Sequence, residues 1–264
     1  QALQMGKRLR RKCVLWPLGL LPLLTWSRCL AVGTAGDPKK TRLYIVRHGA
    51  VIPPGNRKGA IYGGADVELS EQGKEEAEAA ADYLLEEAPD LDAVYSSNLS
   101  RAIYGAEKIA EGRNLKVVTD ARFTEINRGV WVGLNKAEIE ERYPEHVKQI
   151  GSLSNFEADT EFSQHGGESY RAVGRRVLAA RDDLLAKHHG QTVCLVCHNW
   201  VTAALLGSAL GLSTEEWYTL KIPTASVSLV EYSSKAAQNV VFMGKSPEEF
   251  TNGRLKENVG SALS

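Results

Sequence analysis

Two arginines and two histidines define the chemistry open to this chain. Arg47-His48-Gly49, the polar run from Ser96 to Arg101, and the pair His198-Asn199 each follow a short apolar stretch of strand-forming residues. Each therefore falls where a strand has just ended, the place in an open α/β sheet where side chains from different strands converge. Cations and imidazoles gathered there, without carboxylates at metal-ligand spacing, describe a pocket for a tetrahedral dianion, and a phosphoryl group suits it. Arg stays cationic at any working pH and offers forked donors that match phosphate oxygens. A neutral imidazole nitrogen can attack phosphorus and carry the group covalently. The set needs no metal and no cofactor, and its expected partner is a phosphorylated small molecule.

The elements that would position these residues can be read from periodicity. Leu43 to Val46 is a short strand, and Thr192 to Cys197 is apolar almost throughout, as in a strand buried on both faces. Ser70 is placed to cap a helix running to about Glu87, with Ala77, Ala80, Ala81, Leu84 and Leu85 at helical spacing. Asp92–Ser96 and Leu115–Val118 read as strands, and Ser100–Glu111 and Lys136–Tyr143 as helices, the latter closed by Pro144. Gly151 to Gly167 is polar and aperiodic, an irregular insertion. A helix follows from Glu168 to Gly190, then an apolar helix from Asn199 to Leu210 and two last strands at Ser226–Glu231 and Val240–Met243. Strands alternating with helices imply an α/β fold, three-layered α/β/α with a mainly parallel central sheet.

Four separated segments resemble the histidine phosphatase superfamily, the phosphoglycerate mutase-like proteins, over roughly Thr41 to Met243. Arg47-His48-Gly49 is similar to the family signature, which implies His48 as nucleophile and Arg47 as phosphate clamp. Ser97 to Ala102 resembles the segment with the second clamp, here Arg101. Phe123 to Gly133 is similar to the stretch that supplies the proton donor, which would be Glu125, and Val196-Cys197-His198 resembles the last motif, making His198 the second histidine on the phosphoryl group. The resemblance implies metal-independent hydrolysis of a phosphomonoester through a phosphohistidine. Glu125 would donate a proton to the leaving alkoxide and then activate water, so its pKa should lie above that of a solvated Glu. Departures sit around this set: Ala50 and Val51 replace an acid and a hydroxyl, Val132 stands where an acid is frequent, and Asn199 replaces a Gly. Asn56, Arg57 and Asn199 are candidates for contact with the rest of the substrate; Arg57, with Lys58, could meet a second acidic group.

Rival readings remain. A mutase shares the first half-reaction, but the stretch from Glu125 to His198 is short for the insertion that encloses a bisphosphate. Cys194-Leu195-Val196-Cys197-His198 matches the c-type haem pattern, an electron carrier. On a strand, however, residues three apart face opposite ways, about 10 Å apart. A noncatalytic module that only binds a phospho-ligand is the third. Asn98-Leu99-Ser100 is a glycosylation sequon beside Arg101, where a glycan would obstruct the pocket.

The 264 residues, 43% hydrophobic and 24% charged, carry a formal net charge of zero, so no overall field favours nucleic acid as partner. That balance averages unlike parts, because residues 1–40 hold eight basic residues against Asp37 alone. The uncharged run Cys13–Trp26 would rise only about 21 Å as a helix, short of the roughly 30 Å hydrocarbon core, and Pro17 and Pro22 interrupt it. It reads as the apolar core of a targeting leader with small-x-small sites at Ala31-Val32-Gly33 and Gly33-Thr34-Ala35, leading to the secretory pathway or an organelle and leaving no membrane span after removal. An uncleaved anchor is the alternative. The expected organisation is a leader and linker over 1–40, a catalytic domain over 41–244 and a polar tail over 245–264.

Overall fold

The computed structural model describes residues 40–145, 166–234 and 237–250. The leader segment, all but the last two residues of the Gly151–Gly167 insertion and the end of the tail lie outside them.

Strand β1 (Thr41–Arg47) determines the layering. Leu43 and Ile45 enter one hydrophobic core and Tyr44 and Val46 the other, and all four are buried. A strand buried on both faces requires helices above and below the sheet. On the Leu43 side, helix α4 (Tyr170–Lys187) and helix α5 (Asn199–Ala209) contribute Val173, Val177, Leu184, Val201 and Leu205. On the Tyr44 side, helix α1 (Glu71–Glu87) and helix α2 (Ser100–Ala110) contribute Ala80, Leu84, Ala102, Ala106 and Ile109. Each fully buried Leu or Ile adds about 2 kcal/mol over the exposed state. The three-layer architecture is therefore as the periodicity predicts.

The sheet has six strands in the order β3-β2-β4-β1-β5-β6. Strands β3 (Val117–Thr119), β2 (Ala93–Ser96), β4 (Thr192–Cys197) and β1 are parallel, while β5 (Val227–Tyr232) pairs antiparallel with β1 and with β6 (Gln238–Lys245). Arg47 pairs in register with Cys197, and Ser96 with Val196. The carboxyl ends of β1, β2 and β4 thus lie side by side, and the polar residues that follow them enter one neighbourhood.

Local chemistry fixes the helix starts. Ser70 accepts from the Gly73 N–H at 3.0 Å and Ser169 from the Ala172 N–H at 3.1 Å. Helix α3 (Lys136–Arg142) begins with a reciprocal capping box between Asn135 and Glu138. The turn after β1 packs directly on the first turn of α1: a Cβ on Gly73 would lie 1.8 Å from the Ala50 carbonyl oxygen, and one on Gly49 2.0 Å from that of Gly73. Only paired glycines allow this approach.

Some expectations shift. Leu115 is apolar because it packs beneath the α1–α2 layer rather than because it pairs, so β3 starts later than predicted. Strand β6 is longer than its apolar segment, since the antiparallel ladder runs through backbone groups whatever the side chain. The proposed tail is a correction: Lys245 ends β6, and its Nζ lies 4.4 Å over the Tyr83 ring, on which Phe250 stacks at 4.3 Å. Residues 245–250 are part of the packed domain because they cover an aromatic side chain of α1. Among the described residues no helix is long and apolar enough to cross a membrane.

Candidate active site

His48 follows β1 and is 2% exposed. Its Nδ1 lies 2.7 Å from the Gly49 carbonyl oxygen, which can only accept, so Nδ1 carries the proton and Nε2 a lone pair. Burial, with the Arg101 and Arg47 guanidinium groups nearby, pushes its pKa down to about 3. The ring is neutral at any physiological pH. His198, fully buried at the junction of β4 and α5, has its ring centroid 5.1 Å from that of His48. Burial, then His48 and the two arginines, hold it well below the ordinary histidine range. Its Nε2 lies 2.7 Å from Ser97 Oγ. Ser97 accepts from the Leu99 N–H at 3.3 Å and can give its hydroxyl proton to Nε2, which leaves Nδ1 of His198 as an N–H donor.

The arginines differ from the sequence expectation in one respect. The fork of Arg101 is already used, donating through Nη1 to the Ala65 carbonyl and through Nη2 to that of Gly63, both at 2.8 Å, and half of Arg47's is, its Nη1 donating to the Ile222 carbonyl. Nε remains on Arg101, and Nε and Nη2 on Arg47. Arg47 Nε, Arg101 Nε and His198 Nδ1 are all buried without a hydrogen-bond partner among the described residues. An unpaired buried donor costs about 1–3 kcal/mol, so three such N–H groups around one neutral imidazole form a cradle whose natural complement is an anion.

Glu125 completes the cluster. Its carboxyl is buried and accepts from the Ile126 N–H at 2.9 Å and the Trp200 N–H, in the first turn of α5, at 3.3 Å. Burial raises its pKa, opposed by those two backbone donors and by Arg128 and Arg47. The structure thus brings Arg47, His48, Arg101, Glu125 and His198 together.

The outer candidates fare differently. Arg57 donates to Glu138 Oε1 at 2.6 Å and to the Gly133 carbonyl at 3.0 Å, fastening its loop to α3. Asn56 occupies an exposed left-handed turn position with φ 54°. Asn199 is the half-buried first residue of α5. Sequence reasoning missed Ser97, Arg128, Tyr170 and Trp200. Tyr170 and Trp200 stack at 3.7 Å between centroids, with the Arg128 guanidinium 5.7 Å and 5.8 Å over their rings. Ser97, Arg128 and Trp200 lie within three residues of a singled-out residue, and that adjacency was the available signal. Cys194 and Cys197 enter opposite cores as free, buried thiols, so they offer no pair of sulfurs on one face to a haem.

A cradle of this composition at the carboxyl edge of such a sheet marks a phosphoryl-handling α/β protein. The chain belongs to the histidine phosphatase superfamily (branch 1), which its residues 43–243 match. It is 32% identical over 200 residues to phosphoserine phosphatase 1 of Hydrogenobacter thermophilus, spanning 76% of this chain and 90% of that protein. It is 31% identical over 186 residues to glucosyl-3-phosphoglycerate phosphatase of Mycolicibacterium vanbaalenii, spanning 68% of this chain and 78% of that protein. Among solved structures, a mycobacterial glucosyl-3-phosphoglycerate phosphatase superposes with a TM-score of 0.65 at 29% identity, covering 78% of this chain and all of that one.

Proposed function

We propose that this chain hydrolyses a small phosphorylated metabolite through a phosphohistidine formed on His48. The observation that carries the reading is the set of three unpartnered N–H donors, Arg47 Nε, Arg101 Nε and His198 Nδ1, around an imidazole whose Nδ1 is committed to Gly49.

In the first step the Nε2 lone pair of His48 attacks phosphorus in line. The P–O bond to the leaving group breaks, and the proton of the Glu125 carboxyl passes to the departing alkoxide. The three donors hold the equatorial oxygens and stabilise their charge without reorganising. The Gly49 carbonyl stabilises the phosphorylated ring by accepting its Nδ1–H. In the second step ionised Glu125 takes a proton from water, the water oxygen attacks phosphorus and the N–P bond breaks. Neutral His48 and protonated Glu125 are restored. Burial of Glu125 supports its first role, since a carboxyl with a raised pKa keeps its proton longer as pH rises.

The test is rapid-quench labelling with a 32P-phosphomonoester. Acid-labile, base-stable label on the wild type and none on His48→Ala is expected. Turnover by His48→Ala at wild-type rates overturns the reading, and quantitative transfer to a second phosphoglycerate without free phosphate assigns a mutase instead.

A further inference from the structure

Glu125 sits on backbone without regular structure, between the single turns Ala121–Phe123 and Gly129–Trp131, so neither a helix nor a sheet ladder fixes its place. One side chain does. Arg176, in the second turn of α4, points back toward the start of its helix, as helical side chains do, and meets this segment. Its Nη1 donates to the carbonyl oxygens of Arg122 at 2.8 Å and Thr124 at 2.7 Å, and its Nη2 to that of Glu125 at 3.4 Å. The remaining N–H groups, on Nε and Nη2, bind the two carboxylate oxygens of Glu168 at 2.8 Å each. All five donors of the guanidinium are spent within the protein, so none is left for a substrate.

Glu168 fastens the same segment from its other end. Its Oε2 accepts from the Asn127 N–H at 2.9 Å, and its own N–H donates to the Asn127 carbonyl at 2.8 Å. Burial alone would raise its pKa, but Arg176 and the Asn127 N–H outweigh that and hold it below the ordinary Glu value. The main chain is thus gripped at 122, 124, 125 and 127, on both sides of the acid, while the carboxyl itself is held by the N–H groups of Ile126 and Trp200. A second link to α4, from Arg122 to Asp183 at 2.6 Å, joins side chains that are 42% and 71% exposed and fixes little. The Arg176 fork is the firm one.

Resting on the phosphohistidine reading, we infer that Arg176, braced by Glu168, is a positioning residue for Glu125: by fixing the main chain that carries the acid, it aims the carboxyl at the departing ester oxygen and then at the attacking water. Proton transfer needs its heavy atoms within about 3 Å, and a misplacement of about 1 Å costs on the order of a hundredfold. The effect is one of geometry and not of charge, because Glu168 neutralises the guanidinium.

The experiment times phosphorylation and dephosphorylation of His48 by rapid quench in the full chain, with benzyl phosphate and with p-nitrophenyl phosphate. The two esters are similar in shape, but only the benzyl alkoxide needs a proton to leave. In Arg176→Gln, phosphorylation by benzyl phosphate should slow by about tenfold to a hundredfold, whereas phosphorylation by p-nitrophenyl phosphate should stay near the wild-type rate, its burst amplitude counting the folded sites. Arg176→Lys, which keeps the charge and loses the fork, should resemble Arg176→Gln. Glu168→Gln should show the same dependence on leaving group with a smaller loss, and it carries the comparison if Arg176→Gln does not fold. Added to Glu125→Gln, Arg176→Gln should cost little more, since both act through one carboxyl. Equal losses on the two esters, full recovery by Arg176→Lys, additive losses with Glu125→Gln, or an equal defect in Asp183→Asn overturn the inference. Failure of the underlying reading looks different: a wild type that turns over both esters without label on His48 removes the phosphohistidine, whereas a labelled wild type whose Arg176 variants ignore the leaving group removes only the positioning role.

Discussion

Ser97 Oγ lies 2.7 Å from His198 Nε2, and both residues are wholly buried. With its own acceptor role filled by the Leu99 N–H, the Ser97 hydroxyl can donate to Nε2 and so favour the tautomer that carries the proton on Nδ1. With Ser97 donating, Nδ1 is an N–H facing the phosphoryl oxygens; without it the ring can adopt the other tautomer and present a lone pair to the same oxygens. Ser97→Ala should lower kcat/KM by about tenfold to a hundredfold, the range for losing a buried hydrogen bond to a charged group. Ser97→Thr, which keeps the hydroxyl, should recover most of it. Weakened competitive inhibition by inorganic phosphate in the Ala variant, with little change in Tm, would separate tautomer control from packing.

Glu125 should matter in proportion to how badly the leaving group needs a proton. Glu125→Gln is expected to reduce turnover of alkyl phosphates by about 100-fold or more. With p-nitrophenyl phosphate, whose phenolate departs unassisted, the first step survives and water activation is slowed. Burst kinetics and accumulated phosphoenzyme in the variant would show this, and the absence of a burst would place the residue outside the second step.

Acid should destabilise the fold through its two active-site histidines. His48, at about 3, and His198, also depressed, stay neutral in the folded chain where the unfolded chain binds protons. Their stability is fully present above the unfolded histidine value near 6.5 and is lost as pH falls below it, at about 1.4 kcal/mol per pH unit for each. Glu125, with its raised pKa, has the opposite sign: its folded form holds a proton the unfolded chain has released, so it loses stability as pH rises above the ordinary Glu value. Chemical denaturation between pH 4 and 8 should show the histidine slope, and His48→Asn should remove part of it.

Gly73→Ala should harm activity from a position that touches no substrate. The added methyl would meet the Ala50 carbonyl oxygen at 1.8 Å, and both atoms belong to backbone. Relief requires α1 to move away from the turn that carries His48, at a cost of about 3 kcal/mol or more. A lowered Tm together with a lowered kcat is expected, and a variant with unchanged Tm would refute the close approach.

The residues of the proposed cradle were legible because each lies at or within five residues of the end of its strand, so local order places Arg47, His48, Arg101 and His198 without knowledge of the rest. Partners distant in sequence were not legible. Nothing near Arg57 announces that Glu138 holds it, and nothing near Arg101 announces that its fork is spent on Gly63 and Ala65. Arg128 sat inside a segment similar to the family, but its meaning depends on a stack between Tyr170 and Trp200 that only tertiary packing assembles. The ending from Lys245 to Phe250 was read as solvated because its polar residues outnumber the one aromatic that docks on Tyr83.

Arg101 grips the loop before α1 chiefly by its backbone carbonyls, at Gly63 and Ala65, with the Asp66 carboxylate 3.9 Å from Nη1 and the Tyr62 ring beside the guanidinium. The two short hydrogen bonds end on main-chain oxygens, which every residue type possesses, although Gly63 and Gly64 have no room for a side chain. The anchoring of the guanidinium therefore depends less on side-chain identity than on the path of the backbone it holds.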